Sequence, residues 1–489
     1  MLRPERLSKI YCIFSRDLLE TVVSTLQAIG AVHIYDIKEE SPFLNPVNIN
    51  YKDEVSKMLE SIKMYKNELE SKAGRNKLER LFGPMYVGLE KRDKKIKDVI
   101  NEAKNLLEEI NNKYGEINAK NAKEIKKGYY SRLLSVKEHL DNINDRVKAL
   151  EKFGATKYTV SFAGFTSKED ISKVLNAIDV ATNGKSAFEI KDAVSEDNSP
   201  TKLENPKFIK PFEILTENYG MPFYNGIDPT FILAISFTLI FGLMFPDVGY
   251  GIMLVVLGLL VYFITRKTTK FIRNLNIILV YSGISAAFFG LLFGEFFGGF
   301  IQINPFLYEP AKDILTILFI SVIIGILHIS IGLISGIVVK KHAWHNIGLL
   351  ISLWSIIFFM YTKNFSFILL FAMSLVMLIY TKGFLIIEEV ASLFMHILSY
   401  LRIGILILLS VIISRLLLDA YLGLPKNFIG AVFGILLMIV GILFSFAIGV
   451  VSVFIQSLRL HWLEFFSIYE FSGKKFEPFG YKKEYLYSL

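Results

Sequence analysis

The feature that most constrains the fold of this chain is an abrupt change in charge near residue 229. Residues 1–228 contain 37 basic and 35 acidic side chains, whereas residues 229–464, a stretch of similar length, contain only 13 basic and 8 acidic ones. So few charges over such a length are typical of membrane-spanning helices, because a charged group is costly in the bilayer core. The sequence therefore predicts a water-soluble domain over 1–228, a membrane domain over 229–464 and a polar tail over 465–489.

The membrane part divides into apolar runs separated by short charged loops, and we expect about eight transmembrane helices in an all-α domain. The predicted spans are 229–245, 248–265, 274–297, 313–339, 346–361, 364–381, 384–418 and 428–464. The last two exceed the roughly 20 residues that a bilayer requires. At 1.5 Å per residue, the seventh is about 50 Å long. We therefore expect the last two helices to tilt strongly or to project from the bilayer.

Basic residues in the loops predict the orientation. They follow the even-numbered spans and recur in the tail, at Arg266, Lys267, Lys270, Arg273, Lys340, Lys341, Lys382, Lys474, Lys475, Lys482 and Lys483. The alternate loops contain only Lys312, Lys363 and Lys426. By the positive-inside rule both termini are then cytoplasmic. The net charge of +8 fits this topology, and we expect no nucleic-acid partner.

The soluble part has the pattern of an α+β domain. Residues 7–14 and 31–37 are predicted strands around a helix over 16–29 that Gly30 ends. A similar unit returns later in the chain. It has predicted strands over 157–163 and 186–192, and a helix over 168–179 that Ser167 and Asp170 could cap.

Between these two units, residues 52–153 are highly charged and have apolar residues at helical spacing, such as Ile100, Leu106 and Ile110. They predict long helices folded into a hairpin arm, with breaks near Gly74, Gly83-Pro84 and Gly128. The arm is either a solvated coiled-coil spacer or a lever that other subunits grip. The arm alone does not separate these alternatives.

The sequence contains no convincing catalytic or cofactor motif. Asn183-Gly184-Lys185-Ser186 is similar to the end of a phosphate-binding loop, but the glycine required five residues before Gly184 is Asp179. Cys12 is the only cysteine, so no disulfide or cysteine-based zinc site can form within the chain. We expect no cofactor, no metal and no catalytic activity by this chain alone.

Polar side chains form a stripe on each of the last two predicted helices. On a helical wheel, one face of the seventh contains Glu388, Ser392, Ser399, Arg402 and Ser410, and one face of the eighth contains Ser445, Ser452, Gln456 and Arg459. Arg402 lies near the middle of its span and cannot easily reach water, and a charge at that depth usually marks an ion path. The alternative is that these groups only join helices. The stripes thus predict two aqueous paths that meet at a cationic block.

Other residues have simpler interpretations. We expect Gly290, Gly294 and Gly298 to form one small-residue helix face for close packing. His328 is expected to be a hydrogen-bonded core histidine whose partner the sequence does not identify. His345 is expected to be solvated in a cytoplasmic loop, and Glu389 to lie at the cytoplasmic interface.

Two segments, HILSYLR from His396 to Arg402 and SLRLHWLEF at 457–465, each contain one of the arginines described above. They resemble the first and second arginine segments of the a subunit of V-type ATPases, which is called subunit I in archaeal and some bacterial enzymes. Further similarity lies in RPERLSKI at 3–10, the stretch 205–230, FGLMFPDVGYG at 241–251, FGEFFG at 293–298 and KFEPF at 475–479.

The chain also departs from that family. Pro246-Asp247 stands where the family usually has Gly-Asp. Ser410 replaces a histidine of eukaryotic members, and Gly449 replaces a glutamate. The proton-path details of eukaryotic members are therefore not transferred to this chain. The arm is also shorter than is usual.

The resemblance implies a stator subunit of a rotary ATPase or ATP synthase, in the plasma membrane of a prokaryote. A ring of proteolipid subunits would turn against it and couple proton or sodium movement to ATP synthesis or hydrolysis. Arg402 would be the essential block and Arg459 would assist, with His396 also on the ion path. Implied partners are the ring, the peripheral stalk and, indirectly, the central stalk and the ATP-hydrolysing head. The alternatives are a self-contained secondary transporter and a membrane scaffold for a soluble complex.

Overall fold

The structure of the protein is a computed structural model. It describes residues 3–47, 49–73, 96–118, 121–194, 199–265, 270–298, 304–306, 314–338, 343–383, 386–425, 427–469 and 471–481. The chain divides into two compact units. The N-terminal unit is built mainly from Glu5–Lys202 and residues 474–481, and the helical unit mainly from Leu203–Ile264 and Arg273–Gly473.

The N-terminal unit is an α+β structure. Its main sheet contains β1 (Leu7–Ser15), β2 (Val32–Tyr35), β3 (Asn45–Pro46), β4 (Gly154–Ala155), β5 (Thr159–Ser167) and β6 (Ser186–Asp192). Its helices are α1 (Leu19–Ile29), α2 (Lys52–Ala73), α3 (Ile96–Tyr114), α4 (Ala122–Glu151) and α5 (Ile171–Thr182). The strand order is β3-β4-β5-β1-β6, with β2 also paired to β5, and all of these pairs are antiparallel.

The two predicted strand–helix–strand repeats are confirmed as β1-α1-β2 and β5-α5-β6. Alternate side chains of β1, including Cys12, are buried in a core shared with α1 and α5, as the two-residue period of a strand requires. Gly30 ends α1 with a φ of +63°, a conformation that glycine adopts without strain. The second helix begins at Ile171, slightly later than predicted, and the Ser167 hydroxyl accepts a 3.3 Å hydrogen bond from the Glu169 amide.

The arm consists of α2, α3 and α4, which pack together through a core of their own. Ile100, Leu106 and Ile110 are buried in it, as their helical spacing predicts. The predicted break at Gly128 is wrong, because that residue lies inside α4, where neighbouring helix formers and packing outweigh the cost of one glycine. A turn instead occurs at Gly115, with a φ of +64°. The predicted breaks at Gly74 and Gly83-Pro84 lie outside the described residues.

The C-terminal segment joins the sheet region of the N-terminal unit. Strand β7 (Pro200–Thr201) pairs in parallel with β8 (Lys474–Lys475). Farther along, the Phe479 amide donates a 2.7 Å hydrogen bond to the Val32 carbonyl, and Arg146 Nη2 donates one of 2.9 Å to the Tyr481 hydroxyl.

The tetrapeptide at 183–186 is a helix end. Asn183 has a φ of +53° at the C-terminus of α5, and the Gly184 amide bonds to the Asp179 carbonyl. The chain then enters β6. A phosphate-binding loop instead precedes a helix, whose N-terminal amides face the anion. This geometry agrees with the rejection of a nucleotide site.

The helical unit contains a short helix α6 (Glu213–Tyr219) followed by apolar helices. These are α7 (Thr230–Met244), α8 (Val248–Ile264), α9 (Lys270–Phe293), α10 (Ile314–Val338), α11 (Ala343–Thr362), α12 (Ser366–Lys382), α13 (Ile386–Ser399), α14 (Leu401–Leu422) and α15 (Phe428–Arg459). Within the described residues, five helical stretches are long and apolar enough to cross a membrane: Phe271–Phe293, Ile314–Val338, Ala343–Thr362, Glu388–Leu422 and Phe428–Ile468. Thr230–Met244, Val248–Ile264 and Ser366–Thr381 are shorter apolar helices.

The last two predicted helices each change their winding next to an arginine. At Tyr400 the backbone forms tight turns between α13 and α14, with 3.0 and 2.9 Å bonds to residues three positions away. After Arg459 the chain winds more widely, as a π-helix over Leu460–Phe465. A single helical wheel therefore does not describe residues 388–410, because the rotation per residue changes at Tyr400 and shifts the later residues to a different face.

The glycines of the third predicted helix do not share one helix face. Helix α9 ends at Phe293, and Gly294 and Gly298 follow it with φ values of +73° and +67°. The prediction of a four-residue packing stripe is therefore wrong for these two. Gly290 does permit close packing, because a Cβ atom there would lie 2.4 Å from the Val248 nitrogen. The amide of Gly298 donates a 2.6 Å bond to the Asp247 carboxylate.

Candidate functional site

The centre of the candidate site is an ion pair between Arg402 and Glu464. Nη1 of Arg402 lies 3.3 Å from Oε1 of Glu464. The Glu464 side chain is 4% exposed and the Arg402 side chain 27%. Arg402 belongs to the first turn of α14, and Glu464 belongs to the π-helix that follows α15. The pair thus joins the two arginine segments that the sequence singled out.

Tyr400 fixes the junction from which Arg402 projects. Its side chain is fully buried, and its hydroxyl lies 2.7 Å from Nδ1 of His328 on α10. The ring fits because α10 has a glycine opposite it: a Cβ atom on Gly325 would lie 2.7 Å from Cγ of Tyr400. A buried hydroxyl requires a partner, and His328 provides one. The predicted hydrogen-bonded core role of His328 is confirmed.

A second buried histidine extends this cluster. The rings of His328 and His461 have centroids 5.0 Å apart, and His328 stacks on Phe465 at 4.3 Å with an interplanar angle of 7°. Nε2 of His461 lies 2.8 Å from the Ser236 hydroxyl on α7. These contacts hold the π-helix firmly on both sides of Glu464.

The remaining predicted residues of the first arginine segment lie along α13. Ser392 Oγ lies 3.1 Å from Nε2 of His396, one helical turn away. Ser399 donates a 3.1 Å bond to the carbonyl of Met395, and Glu388 is exposed. The structure therefore places Ser392 and His396 together, but none of these four residues has a direct hydrogen bond to Arg402 among the described contacts.

Glu389 and His345 form a separate contact. Oε2 of Glu389 lies 3.2 Å from Nε2 of His345. The prediction that His345 is solvated in a loop is wrong, because it lies in the first turn of α11 and is 7% exposed. Its position beside the start of α13 is a tertiary contact that the local sequence does not reveal.

The predicted residues of α15 have different surroundings. Arg459 is exposed and has no ion-pair partner among the described residues. Gln456 is partly buried, and within the described part of the chain its Oε1 atom has no hydrogen-bond partner. Ser452 lines a cavity of about 90 Å³ between α14 and α15, together with Ser410, Ser414, Ser445 and Tyr250.

That cavity collects hydroxyl groups from three helices. The Tyr250 hydroxyl lies close to the hydroxyls of Ser414 and Ser445 in this cavity. Its volume is sufficient for a few water molecules, which buried polar groups of this kind usually bind. In the described ranges no three His, Cys, Asp or Glu side chains come together as a metal site.

Comparison with known proteins identifies the family. Residues 27–314 match the model of the V-type ATPase 116kDa subunit family, which is more than half of the chain. This chain belongs to that family. The stretch that matches the family model ends before Arg402 and Glu464, so that match rests on other residues than the ion pair.

Curated relatives agree with this assignment. The A-type ATP synthase subunit I of Pyrococcus abyssi is 31% identical over 398 residues, which cover 74% of this chain and 60% of the relative. The protein of the same name from Methanocaldococcus jannaschii is 28% identical over 90% of this chain and 69% of the relative. The chain thus spans about 60% of the length of several curated relatives, including that of Pyrococcus horikoshii at 59%. With five long apolar helices among its described residues, this family member is a multi-pass membrane protein.

Sequence reasoning missed the residues that surround the arginine. Glu464 is one of only 8 acidic side chains in residues 229–464, and that rarity is the signal that could have identified it. Tyr400 and His461 gave no such signal, because an aromatic or histidine side chain in an apolar run is usually part of a core.

Proposed function

We propose that this chain is the membrane-embedded stator subunit of an A/V-type rotary ATP synthase or ATPase. The observation that carries the proposal is the Arg402 guanidinium, which is partly exposed and is held through one nitrogen by Glu464. Among the described residues it has no second protein partner. The remaining donors of its planar fork are thus available to a carboxylate of another subunit.

The proposed mechanism uses Arg402 as a fixed cation between two ion paths. A carboxylate on a rotating proteolipid ring is neutralised by an ion from one path, turns almost full circle and releases the ion into the other. Arginine stays protonated at any usable pH, so it stabilises the ionised carboxylate as it passes and prevents a direct leak. Each charge that crosses yields about 2.3 kcal/mol per 100 mV of membrane potential.

The surface of α15 supports a rotor partner. Its apolar side chains are exposed along its length, including Val432, Ile439 and Ile455. Only 11% of the most apolar 18 residues of Phe428–Ile468 are buried. A helix in this position contacts lipid or another apolar subunit. A ring of apolar helices that slides past α15 would cover these apolar side chains without forming fixed polar contacts.

The hydroxyl-lined cavity is the best candidate for part of one ion path. Ser410 and Gly449, which replace titratable residues of eukaryotic members, both line it. We infer that ions pass here through water bound to hydroxyls rather than through histidine or glutamate. The polar face of α13, with Glu388, Ser392, His396 and Ser399, is the candidate for the second path, and Gln456 and Arg459 lie at the end of α15.

The N-terminal unit supports a tether role. Its arm of three packed helices is suited to bind a peripheral stalk on the cytoplasmic side, which a stator needs to resist torque. ATP would be handled by other subunits. This function is proposed by analogy with relatives that are named A-type ATP synthase subunit I. A secondary transporter would require paired internal repeats around a midplane substrate site, and residues 229–464 contain no convincing repeat. A scaffold would leave the Arg402–Glu464 pair unexplained.

The deciding experiment replaces Arg402 in the assembled complex. We expect Arg402→Ala to lower ATP-driven ion uptake by at least about 100-fold, comparable to the loss of a key electrostatic group in an enzyme. Arg402→Lys should fail nearly as completely, because an ammonium lacks the planar fork. Uptake is measured per complex, with ring and head subunits quantified separately. Near-normal uptake by an assembled Arg402→Ala complex would refute the mechanism.

A further inference from the structure

Glu464 is an unusual residue for its position. It is a carboxylate with a side chain only 4% exposed, in a helical stretch that is apolar enough to cross a membrane. Such a group is costly unless it is paired, and buried ionisable residues in membrane helices usually serve a function. Its Oε1 atom faces Arg402, whereas its buried Oε2 atom has no hydrogen-bond partner among the described residues.

The backbone at Glu464 is held more firmly than the Arg402 side chain. Its neighbour Phe465 is fully buried and stacks on His328, and His461 is anchored to Ser236. Arginine, by contrast, has a long side chain with considerable rotamer freedom. Glu464 therefore sets the position of Nη1, and without it the guanidinium could adopt other rotamers.

The contact is a single hydrogen bond rather than a two-nitrogen pair. Only Nη1 of Arg402 is bonded to Glu464, at 3.3 Å. A bidentate pair would occupy two donors of the fork and would leave less of the guanidinium for another carboxylate. The observed geometry orients the group and leaves most of its donors accessible.

The charge of Glu464 has a second consequence. An acidic group beside Arg402 disfavours the ionised form of any further carboxylate that approaches, because like charges repel. We propose that Glu464 is a positioning residue that both orients Arg402 and weakens its hold on the ring carboxylate, so that an ion can displace that carboxylate. This inference rests on the proposed function.

The test compares three variants of the complete assembled complex. Glu464→Gln keeps the shape and a hydrogen-bond acceptor but removes the charge, and Glu464→Asp keeps the charge on a shorter side chain. Glu213→Gln is the matched control, since Glu213 is a similarly buried carboxylate (5% exposed) that accepts hydrogen bonds from Asn205. ATP-driven uptake is measured over a pH series and a sodium series, per assembled complex.

We expect Glu464→Gln to raise the half-saturating ion concentration about tenfold, equal to one unit on the pH axis, because Arg402 then holds the ionised ring carboxylate more tightly. Glu464→Asp should restore much of the wild-type value, and Glu213→Gln should not change it. A purely structural residue would alter the amount of complex and leave this concentration unchanged.

Two results would overturn the inference. One is a wild-type ion dependence in assembled Glu464→Gln complexes. The other is failure of Glu464→Gln to assemble while Glu464→Asp assembles with a wild-type ion dependence and a wild-type maximal rate, which would assign Glu464 a packing role. In both cases an inactive Arg402→Ala complex would leave the proposed function intact, whereas an active one would refute that function itself.

Discussion

The hydroxyl of Tyr400 and Nδ1 of His328 lie 2.7 Å apart in the interior of the helical unit. They come from different helices, 72 residues apart in the chain, and both are at least 95% buried. This contact fixes the junction between α13 and α14, two residues before Arg402. The position of the proposed cationic block therefore depends on a polar contact behind it.

Removal of that hydroxyl should destabilise the helical unit. Tyr400→Phe keeps the ring but leaves His328 without its partner, and an unsatisfied buried group costs about 1–3 kcal/mol. We expect a lower thermal unfolding midpoint for the purified protein in detergent. Tyr380→Phe is the control, because that side chain is 94% exposed. Equal midpoints for the two variants would mean that the contact contributes nothing to stability.

A buried lysine in the N-terminal unit gives a second prediction. Nζ of Lys9 lies 2.5 Å from Glu40 and faces the ring of Tyr35 at 4.9 Å, and the Tyr11 hydroxyl donates a 2.6 Å bond to Glu40. Burial raises the pKa of Glu40, but the hydrogen bonds from Lys9 and the tyrosines outweigh it, so the net pKa is lowered. Burial lowers the pKa of Lys9, but its bonds to Glu40 and Tyr11 outweigh that, so the net pKa is raised.

The signs of these shifts define a pH window. Glu40 contributes to the stability of the folded state above its ordinary pKa of 4.5, and this contribution is lost as the pH falls through its lower folded pKa. Lys9 contributes to the stability of the folded state below its ordinary pKa of 10.5, and this contribution is lost as the pH rises through its higher folded pKa. The pair should therefore stabilise the sheet most between these limits.

Hydrogen exchange of the β1 and β5 amides, followed from pH 7 into the acid range, measures this effect. Glu40→Gln should lower the opening free energy by about 1–2 kcal/mol, less than for a fully buried charge pair because Glu40 is more than a third exposed. In this variant, the protection of these amides against exchange should decrease less steeply as the pH falls. Glu39→Gln, the adjacent exposed glutamate, is the control. An unchanged acid profile in Glu40→Gln would contradict the assignment.

The fold could be predicted from sequence where the signal is local. The two strand–helix–strand repeats and the apolar helices follow from hydrophobic periodicity, which reflects which face of each element is buried. Gly128 and the glycines after Phe293 were misassigned because one glycine is compatible with a helix interior, a turn or close packing, and only the tertiary surroundings decide.

The site was predictable only in part for the same reason. Arg402 and Arg459 could be identified from the sequence because a charged residue is rare within a long apolar run. Glu464, His328 and Tyr400 come together through the packing of α10, α14 and the π-helix, and no spacing within one helix encodes that. The helical wheel assumes a constant 100° per residue, and the change in winding at Tyr400 violates that assumption for the stripe that contains Arg402.

The orientation in the membrane gives a prediction that does not depend on the ion pair. By the positive-inside rule, Arg273→Cys should be shielded from an impermeant thiol reagent in intact cells, and Gly423→Cys should react. Both positions are exposed in the structure. The native Cys12 should give little background, because it is buried and its pKa is raised by burial to about 12, which leaves almost no thiolate. Cys12→Ser provides the control, and the reverse labelling pattern would place the N-terminal unit on the outer side.

The last prediction separates the roles of the two arginines. Arg459 is exposed at the end of α15 without an ion-pair partner in the described residues, whereas Arg402 is partly buried and paired. An exposed cation contributes at most about 1 kcal/mol to a charge interaction. We therefore expect Arg459→Ala to lower ion uptake per assembled complex by about two- to fivefold, far less than Arg402→Ala.

The conservative variants sharpen this comparison. Arg459→Lys should remain close to wild type, because a solvated site requires a positive charge but not a planar fork, while Arg402→Lys should be nearly inactive. Arg415→Ala, on the same helix as Arg402 but about 20 Å farther along it at 1.5 Å per residue, is the matched control and should retain uptake. If Arg459→Ala were as inactive as Arg402→Ala, or if Arg459→Lys were no better than Arg459→Ala, the second arginine would have a direct role in the ion path, and the division of labour proposed here would be wrong.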